Sequence, residues 1–458
     1  MSTTTLLCPP VLLACTLALA PALRASDNWL DEYRQPASRI IATATADDAA
    51  WQRLALLTDT FGNRLSGSPA LEATLRWAAD EMKKDFDDVR LDPVLVPHWV
   101  RGAESLEVVE PYPTAMTMLG LGNSIGTGGK PLEAEVLVVK SFAELDANAA
   151  RVKGRIVLFN AAYTNYGETV QYRSNGPSRA ATLGAVAALV RSVGLPGLRL
   201  PHTGALRYAP DRPQIPAAAI PSEDADRLQR MQDRGTRVVL RLRMEAKFLP
   251  DATSANLVAD YKGREKADEI VAIGCHIDSW DVGAGATDDG GGCVAMWEAV
   301  RVLKKLNLRP RRTIRVVFWT NEENGLRGGL AYRDKYKDQL SRHVMMLESD
   351  GGVFRPSGFG FSGPERGRSM VTQIATLLTP IGADHIGPNG GGADIGPSVE
   401  AGDLPAMSLE VDGSKYFLIH HTPADTVDKI EPEEIARSVA AIAVMSYVVA
   451  DMPMTLKP

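Results

Sequence analysis

Histidine and carboxylate side chains follow several apolar runs of this sequence, and these residue types can bind a divalent metal ion. His276 and Asp278 come after one run, Glu322 and Glu323 follow a second, and Asp350 follows a third. Sites that use only histidine and carboxylate ligands, without cysteine, are typical of catalytic rather than structural zinc. The sequence therefore predicts a catalytic metal site whose ligands lie far apart along the chain.

Two further segments complete the candidate ligand set. The glycine-rich stretch 285–292 contains Asp288 and Asp289, and His420 and His421 precede a threonine. Carboxylates outnumber histidines in this set, which favours two metal ions that share a bridging carboxylate. A separate carboxylate, which does not bind a metal, must then act as the base that accepts the proton of the attacking water. Of two consecutive glutamates, one can bind a metal ion and the other can accept the proton, because neighbouring side chains point in different directions.

Each of these side chains also has an ordinary structural interpretation. A His-x-Asp pair after a strand often forms only a hydrogen bond, paired glutamates are usually solvated, and Asp288 or Asp289 can cap the helix that follows. Either His420 or His421 can supply the histidine needed from their segment. The convergence of all these segments on one edge of a sheet favours the metal site over the ordinary interpretations.

The elements that must position these residues alternate between apolar strands and helices. Strands are predicted at 269–274, 313–319, 344–347 and 406–409, and helices at 293–306, 370–378 and 433–452. Residues 47–84 also have helical spacing and predict two helices around a turn. This alternation predicts an α/β fold with a central mixed sheet flanked by helices, in which sites form at the carboxyl ends of the strands.

The α/β pattern is interrupted in its first half. Between residues 120 and 248, short β-branched runs alternate with connections rich in glycine, proline and asparagine. We expect an inserted β-rich domain over residues 120–248. The catalytic domain would then be formed by residues 27–119 and 249–458, which the insertion separates.

The first 25 residues have the composition of an export signal. Residues 11–23 are uncharged, too few to cross a bilayer, and bounded by small residues. We expect a signal peptide over residues 1–25 and a secreted or periplasmic protein without a transmembrane segment. The segment Leu12-Leu13-Ala14-Cys15 also resembles a lipobox, and in that alternative Cys15 carries a lipid anchor and the protein is a lipoprotein.

Composition places further limits on the function. A chain of 458 residues with 45% hydrophobic and 23% charged residues suits two ordinary globular domains. A net charge of −6 and the lack of a basic stripe argue against nucleic-acid binding. After signal removal only Cys275 and Cys293 remain, and we expect two buried free thiols rather than a disulfide.

Taken together, the motifs resemble those of the co-catalytic zinc aminopeptidase and carboxypeptidase family. The matching segments are His276-x-Asp278, Gly285-Ala286-Thr287-Asp288-Asp289-Gly290, Glu322-Glu323, Asp350 and His421-Thr422-x-x-Asp425-Thr426. The similarity extends over residues 49–451 and includes the inserted domain, which resembles a protease-associated domain. Five motifs in the same order make this resemblance specific, and it implies the zinc exopeptidase fold.

The resemblance implies a role for each matched residue. Glu322 would be the general base, and Asp278 would hydrogen-bond His276 and fix its tautomer. Asp394 and His420 would contact the substrate. The expected ligands of two zinc ions are His276 and Asp350 for one, Glu323 and His421 for the other, and Asp288 as the bridge.

The same resemblance implies hydrolysis of unblocked dipeptides or very short peptides by a homodimer. Three other functions are compatible with the fold: an aminopeptidase that shortens longer peptides, a metal-free binding protein or receptor, and a one-zinc glutaminyl cyclase. The complete ligand set and Glu322 argue against the last two. The openness of the substrate pocket, which would separate the first two kinds of peptidase, is not encoded in any motif.

Overall fold

The computed structural model of the protein describes Met1 and residues 29–457. Residues 2–25 of the predicted export signal, and Cys15 with them, lie outside the described residues. Within the described part of the chain, no helix has the length and apolar character needed to cross a membrane.

Two eight-stranded sheets form the framework of the protein. In chain order the strands are β1 (Asp88–Val100), β2 (Glu104–Glu110), β3 (Thr114–Met116), β4 (Leu119–Gly120), β5 (Leu132–Val139), β6 (Ile156–Phe159), β7 (Ala187–Arg191), β8 (Ala217–Ile220), β9 (Val239–Met244), β10 (Lys247–Tyr261), β11 (Lys266–His276), β12 (Arg312–Trp319), β13 (His343–Glu348), β14 (Pro356–Ser362), β15 (His385–Gly387) and β16 (Ala406–Val411). The helices are α1 (Asp31–Ala44), α2 (Ala49–Phe61), α3 (Pro69–Met82), α4 (Phe142–Ala147), α5 (Ala149–Val152), α6 (Tyr166–Ser174), α7 (Gly176–Thr182), α8 (Ser222–Asp233), α9 (Gly291–Lys305), α10 (Arg327–Tyr336), α11 (Glu365–Ala375), α12 (Gly396–Gly402), α13 (Tyr416–Ile419) and α14 (Pro432–Asp451).

The first sheet has the order β1-β10-β12-β11-β13-β16-β14-β15 and is mixed. Its centre is the parallel set β12-β11-β13-β16, to which β10 and β14 are added in antiparallel orientation. Every residue of β12 is buried, as expected when helices cover both faces of a parallel sheet. The prediction of a central mixed sheet flanked by helices is therefore confirmed.

Helices cover the two faces of this sheet unequally. Helices α1, α2, α3, α9, α11 and α14 share one large core with the sheet, and α10 packs on the other face, where Tyr332 contacts Trp319. Helix α14 begins at Pro432, as predicted, because proline is favoured in the first helical turn. The two helices predicted between residues 47 and 84 are α2 and α3. Helix α1, which has few apolar residues and contains Pro36, is not predicted.

The second sheet has the order β3-β2-β9-β5-β6-β7-β8-β4 and comprises residues between 104 and 244. It begins before the predicted boundary at residue 120, because β2 pairs with β9, which ends the insertion (Leu106 lies opposite Leu242). Pairing between such distant segments leaves no local signal in the composition. Helices α4 to α8 accompany the sheet, so this second domain is α/β rather than β-rich.

Cys275 and Cys293 form a disulfide bond, which corrects the prediction of two free thiols. Cys275 lies near the end of β11 and Cys293 in the first turn of α9, and their Cα atoms are 5.2 Å apart. The connection from strand to helix brings the two residues within bonding range across 18 positions of sequence. The bond ties the strand that ends at His276 to the helix that follows Asp288.

Candidate active site

The carboxyl ends of the central parallel strands carry the residues singled out in the sequence. Strand β11 ends at His276, β12 is followed by Glu322 and Glu323, and β13 is followed by Asp350. The short helix α13, which follows β16, leads to His421. Because the four strands are parallel, these ends meet at one edge of the sheet, where sites of α/β proteins form.

Two clusters of potential ligand atoms share Asp288. In the first cluster, His276 Nε2 lies 3.1 Å from Asp288 Oδ1 and 3.3 Å from Asp350 Oδ1. In the second cluster, His421 Nε2 lies 3.1 Å from Asp288 Oδ2 and 3.1 Å from Glu323 Oε2. Each carboxylate oxygen of Asp288 therefore faces a different histidine, as a bridging ligand would.

These distances suit the edges of tetrahedral metal sites. With metal–ligand bonds of about 2.0 Å, the ligand atoms of a tetrahedral zinc ion lie about 3.3 Å apart. Asp288 is 4% exposed, and its Oδ2 has no hydrogen-bond partner within the described residues. A buried carboxylate oxygen without such a partner is costly unless a cation balances it. The five side chains therefore fit two zinc ions that share Asp288.

Burial and mutual proximity shift the pKa values of this cluster. Burial and the neighbouring Asp288 raise the pKa of Glu323 to about 7. Burial lowers the pKa of His276, but hydrogen bonds to Asp288 and Asp350 outweigh it and raise the pKa well above its usual value. A bound divalent cation would reverse both tendencies by favouring the ionised carboxylate and the neutral imidazole. Protons and a divalent cation would therefore compete for this carboxylate-rich cluster.

Asp278 is fully buried behind the cluster, but its contacts differ from the expected ones. His276 Nδ1 donates to the main-chain carbonyl of Asp278 at 2.9 Å, whereas the carboxylate lies 3.9 Å from that nitrogen. The carboxylate instead accepts the main-chain N–H groups of Glu322 and Glu323 at 3.1 and 3.3 Å and the Ser66 hydroxyl at 3.2 Å. The expectation that the Asp278 side chain fixes His276 is therefore wrong, and this side chain holds the two glutamates.

Glu322 is half-buried and lines the cavity beside the ligand cluster. Burial raises its pKa well above the usual value, and the negative charges of Asp350 and Glu323 act in the same direction. A carboxylate that opens onto the cavity beside the ligand cluster is of the type that can accept and return a proton. The role of Glu322 as general base stays a prediction.

The two residues expected to contact substrate differ in placement. His420 stacks on His421 with 3.5 Å between ring centroids, and its Nε2 lies 3.4 Å from Asp288 Oδ2. Asp394 is 1% exposed, and its carboxylate oxygens have no hydrogen-bond partner in the described chain, while its neighbour Ala393 lines the cavity. The structure thus brings His420 directly to the cluster and leaves Asp394 buried next to the cavity wall.

Two residues that hold the site together had no functional role assigned from the sequence. Asp425 accepts hydrogen bonds from the main-chain N–H groups of residues 286–288 at 2.7 to 3.2 Å. Arg64, which is fully buried, donates to carbonyls of residues 277–285 at 2.7 to 2.9 Å. Asp425 belongs to the same sequence motif as His421, so its position in that motif could have indicated a role at the site. The sequence around Arg64 contains no pattern that predicts its contacts.

The second domain contacts a candidate ligand directly. The Thr203 carbonyl lies 3.3 Å from His421 Nδ1, and the Thr203 N–H donates to the His421 carbonyl at 3.0 Å. The neighbouring His202 is 2% exposed, and burial lowers its pKa to about 3, so it is a neutral packing residue. These contacts anchor the second domain at the catalytic edge of the first sheet.

A cavity of about 740 Å³ lies between the two domains, and four of the five candidate ligands, Asp288, Glu323, Asp350 and His421, line its wall. A cavity of this size is within the range of sites for small ligands. The first domain contributes Asp288, Glu322, Glu323, Asp350, His420 and His421 to the lining, and the second contributes Asn123, Tyr166, Arg173, Asn175, Ala205 and Arg207.

Known proteins share both the sequence and the fold. Residues 256–446 match the model of peptidase family M28. Carboxypeptidase Q from Homo sapiens is 43% identical over 408 residues, covering 89% of this chain and 86% of the relative. The crystal structure of a peptidase M28 precursor from Shewanella amazonensis superposes with a TM-score of 0.90 at 35% identity, covering 93% of this chain and 99% of that one.

A more distant structure shares the fold alone. A zinc aminopeptidase from Bacillus subtilis has a TM-score of 0.67 at 22% identity, covering 89% of this chain and 96% of that one. The alignment with carboxypeptidase Q covers 89% of this chain and is therefore not confined to the residues that match the family model. The chain therefore belongs to peptidase family M28, as a carboxypeptidase Q-like member.

Proposed function

We propose that this protein is a two-zinc exopeptidase that hydrolyses unblocked dipeptides or very short peptides. Its membership of peptidase family M28 and its identity to carboxypeptidase Q make it a zinc-dependent exopeptidase. The observation that carries the two-zinc proposal is the placement of Asp288, whose two oxygens each lie 3.1 Å from a different histidine.

The ligand assignment follows from the two clusters. His276 and Asp350 would hold one zinc ion, Glu323 and His421 the other, and Asp288 would be shared. When bound, the ions supply Lewis-acid polarisation of the scissile carbonyl and of a water molecule. All five side chains are of types that catalytic zinc prefers.

The remaining steps belong to the chain's own residues. Glu322 takes the proton from the attacking water and delivers it to the leaving amine. The Asp278 carboxylate holds the main chain of Glu322 through a 3.1 Å hydrogen bond. The Thr203 carbonyl accepts from His421 Nδ1, which leaves His421 Nε2 free to face Asp288 and Glu323.

We assign the second sheet and its helices to a protease-associated domain that limits substrate length. This domain supplies one wall of the 740 Å³ cavity and contacts His421 through Thr203. A peptide bound at the ligand cluster would meet that wall after a few residues. His420 and Asp394 are our candidates for substrate contact, His420 through its position beside Asp288.

We also propose a secreted or periplasmic location and a homodimeric assembly. The disulfide between Cys275 and Cys293 supports export, because disulfides persist mainly in oxidising compartments. The mass of the mature N-terminus would distinguish cleavage near residue 25 from a lipid anchor at Cys15. Light scattering coupled to gel filtration would test the dimer.

The function is tested by a panel of dipeptides, matching tripeptides and N-blocked dipeptides, assayed with zinc and with chelator. We expect free dipeptides to be hydrolysed in the presence of zinc only. Equal removal of N-terminal residues from longer peptides would replace the dipeptidase assignment with that of an aminopeptidase. No turnover by zinc-loaded protein would point to a binding protein and remove Glu322 from its catalytic role.

A further inference from the structure

We propose that Arg207, supported by Arg173, binds the free α-carboxylate of the substrate from the wall that the second domain contributes to the cavity. This inference rests on the proposed function, since it concerns the recognition of the same short peptides. It assigns a specific chemical group of the substrate, a carboxylate, to named residues outside the metal-ligand cluster.

The first observation is a buried guanidinium without an anion. Arg173 is 5% exposed and donates to the Thr203 carbonyl at 3.3 Å and to the Tyr166 hydroxyl at 2.8 Å. Its Nε has no partner, and no carboxylate pairs with it within the described residues. A buried charge is costly unless it is paired, and this one lines the cavity. Arg173 can therefore attract an anion that enters the cavity.

The second observation is an exposed arginine beside it. Arg207 lines the same cavity, and its main-chain N–H donates to the Ser174 carbonyl at 3.0 Å, which holds it next to the end of α6. Its side chain is exposed and makes no ion pair with any carboxylate of the described chain. Some arginines of the same domain have carboxylate partners (Arg155, Arg191, Arg199, Arg237 and Arg241), and Arg207 differs from surface arginines without such a partner in the described chain, such as Arg230, because it lines the cavity.

The third observation is the polarity of the cavity. Arg173 Nη1 lies 3.5 Å from His421 Nδ1, so the arginines are at the His421 end of the ligand cluster. Buried acids outside the ligand set, Glu348 and Asp394, lie at the Asp350 end. A dipeptide is a zwitterion that spans about 7 Å in extended form. With its carboxylate on the arginine side, its ammonium group would point towards the acidic end.

Arginine is the suitable donor for this role. Its planar guanidinium forms paired hydrogen bonds to a carboxylate, which fix orientation as well as charge. Arg207 and Asp288 line the same cavity, so a peptide that binds Arg207 through its carboxylate and places its scissile bond at Asp288 must fit between them. The contact would therefore select both for a free C-terminus and for short length.

The test compares each dipeptide with its C-terminal amide. For the wild-type enzyme we expect kcat/KM to be higher for the free acid by about 10- to 100-fold, the range expected for a hydrogen-bonded charge. Arg207→Gln should remove most of this preference by lowering kcat/KM for the acid, chiefly through KM, and should leave the amide nearly unchanged. Arg207→Lys should retain part of the preference for the free acid, because lysine keeps the positive charge.

A matched control is Arg230→Gln, which changes an exposed arginine of α8 away from the cavity and should leave both substrates unaffected. Arg173→Gln, assayed for bound zinc as well as for the ratio of acid to amide, tests the buried partner. We expect the ratio to fall while zinc content stays that of the wild type. A loss of zinc with an unchanged ratio would overturn the role given to Arg173.

Two results separate this inference from the proposed function. Wild-type enzyme that hydrolyses dipeptide acids and amides equally well would refute the carboxylate site and leave the dipeptidase assignment intact. Failure to hydrolyse any dipeptide would refute the proposed function itself. The wild-type comparison needs no variant, so the inference can be refuted even if an arginine substitution impairs folding.

Discussion

At the residue scale, adjacent glutamates after β12 meet different surroundings. Glu323 is buried, and its Oε2 lies 3.1 Å from His421 Nε2, whereas Glu322 opens onto the cavity. The Asp278 carboxylate accepts the main-chain N–H groups of both and so fixes their divergence. One glutamate can therefore be a metal ligand while its neighbour carries protons.

This division predicts different effects of the same substitution at the two positions. Glu322→Gln is expected to lower kcat for a dipeptide by about 10²- to 10⁴-fold, because an amide cannot accept the proton of water. Zinc content should stay unchanged, since this side chain is not among the ligands. Glu323→Gln should instead reduce bound zinc. Elemental analysis beside the kinetics checks both, and zinc loss of equal size in the two variants would contradict the assignment.

A second prediction concerns the support of the bridging residue. Asp425 accepts three main-chain hydrogen bonds from residues 286–288 on its two oxygens, so Asp425→Asn would place an amide NH2 group against at least one N–H donor. We expect a stability loss of about 1–3 kcal/mol and weaker zinc binding, measured by thermal unfolding and metal titration. Asp428→Asn, three residues away and on the surface, is the control and should change neither.

The residue types of the site were predictable from sequence, but their contacts were not. Five motifs supplied the candidate ligands because each ligand sits in a recognisable local pattern. The carboxylate of Asp278, by contrast, bonds to residues 44 and 45 positions away, and Arg64 bonds to a loop more than 200 positions away. These residues become neighbours only when the strands pack into a sheet, and a local sequence pattern does not predict that packing.

At the element scale, an ion-pair network joins the antiparallel side of the first sheet. Asp260 on β10 lies opposite Arg315 on β12 in the sheet register, and their side chains form two hydrogen bonds of 2.7 and 3.0 Å. Arg90 on β1 adds a third at 3.1 Å. Asp260 and Arg315 are both buried, so the network crosses three strands in a region shielded from water.

This network predicts a pH-dependent contribution to stability. Burial raises the pKa of Asp260, but hydrogen bonds and charge from Arg315, with help from Arg90, outweigh it and lower the pKa below its usual value. A lowered folded-state pKa gives stability that is present above about pH 4 and is lost as the pH falls through the folded value. Asp260→Asn should therefore cost about 3–5 kcal/mol at pH 7, because Arg315 keeps its buried charge.

The measurement is urea unfolding of metal-free protein at pH 7 and at decreasing pH. The difference between wild type and Asp260→Asn should shrink as the pH falls below about 4, because the Asp260 carboxyl becomes neutral first in the unfolded chain and then, at lower pH, in the folded protein. Asp251→Asn, on the exposed part of the same strand, should match the wild type throughout. A difference that stays constant with pH would show that packing, rather than charge, explains the loss.

The strands that could be predicted are the ones with continuous apolar runs. Strand β12 is buried along its whole length and is readable from its composition alone. Strand β1 was not predicted, because Pro93 and Pro97 interrupt it and its exposed positions include Leu91 and Leu95. Its pairing with β10 is antiparallel and at the edge of the sheet, where proline is tolerated.

At the scale of the whole molecule, the site depends on both domains and on distant parts of the chain. The candidate ligands extend from His276 to His421, and the second domain supplies the partner of His421 Nδ1. The boundary of that domain was misplaced because β2 and β9 pair across the whole insertion. A site assembled in this way forms only when the chain is folded, which couples metal binding to stability.

This coupling predicts that zinc removal lowers the melting temperature. Ions present at about 100 times their dissociation constant add about 2.7 kcal/mol, which corresponds to a shift of about 5–10 °C for a domain of this size. We expect chelator to lower the melting temperature of the wild-type protein by at least this shift. Elemental analysis of the zinc-loaded protein should find two zinc ions per chain.

Asp288 decides whether the two ions share a ligand. Asp288→Asn removes the bridging carboxylate, so chelator should then shift the melting temperature by less than half the wild-type amount. Asp146→Asn, an exposed change in the second domain, should keep the full shift. If Asp288→Asn retained both zinc ions and the whole shift, the ions would have separate ligands, and Asp288 would serve only as a charged neighbour of His276 and His421.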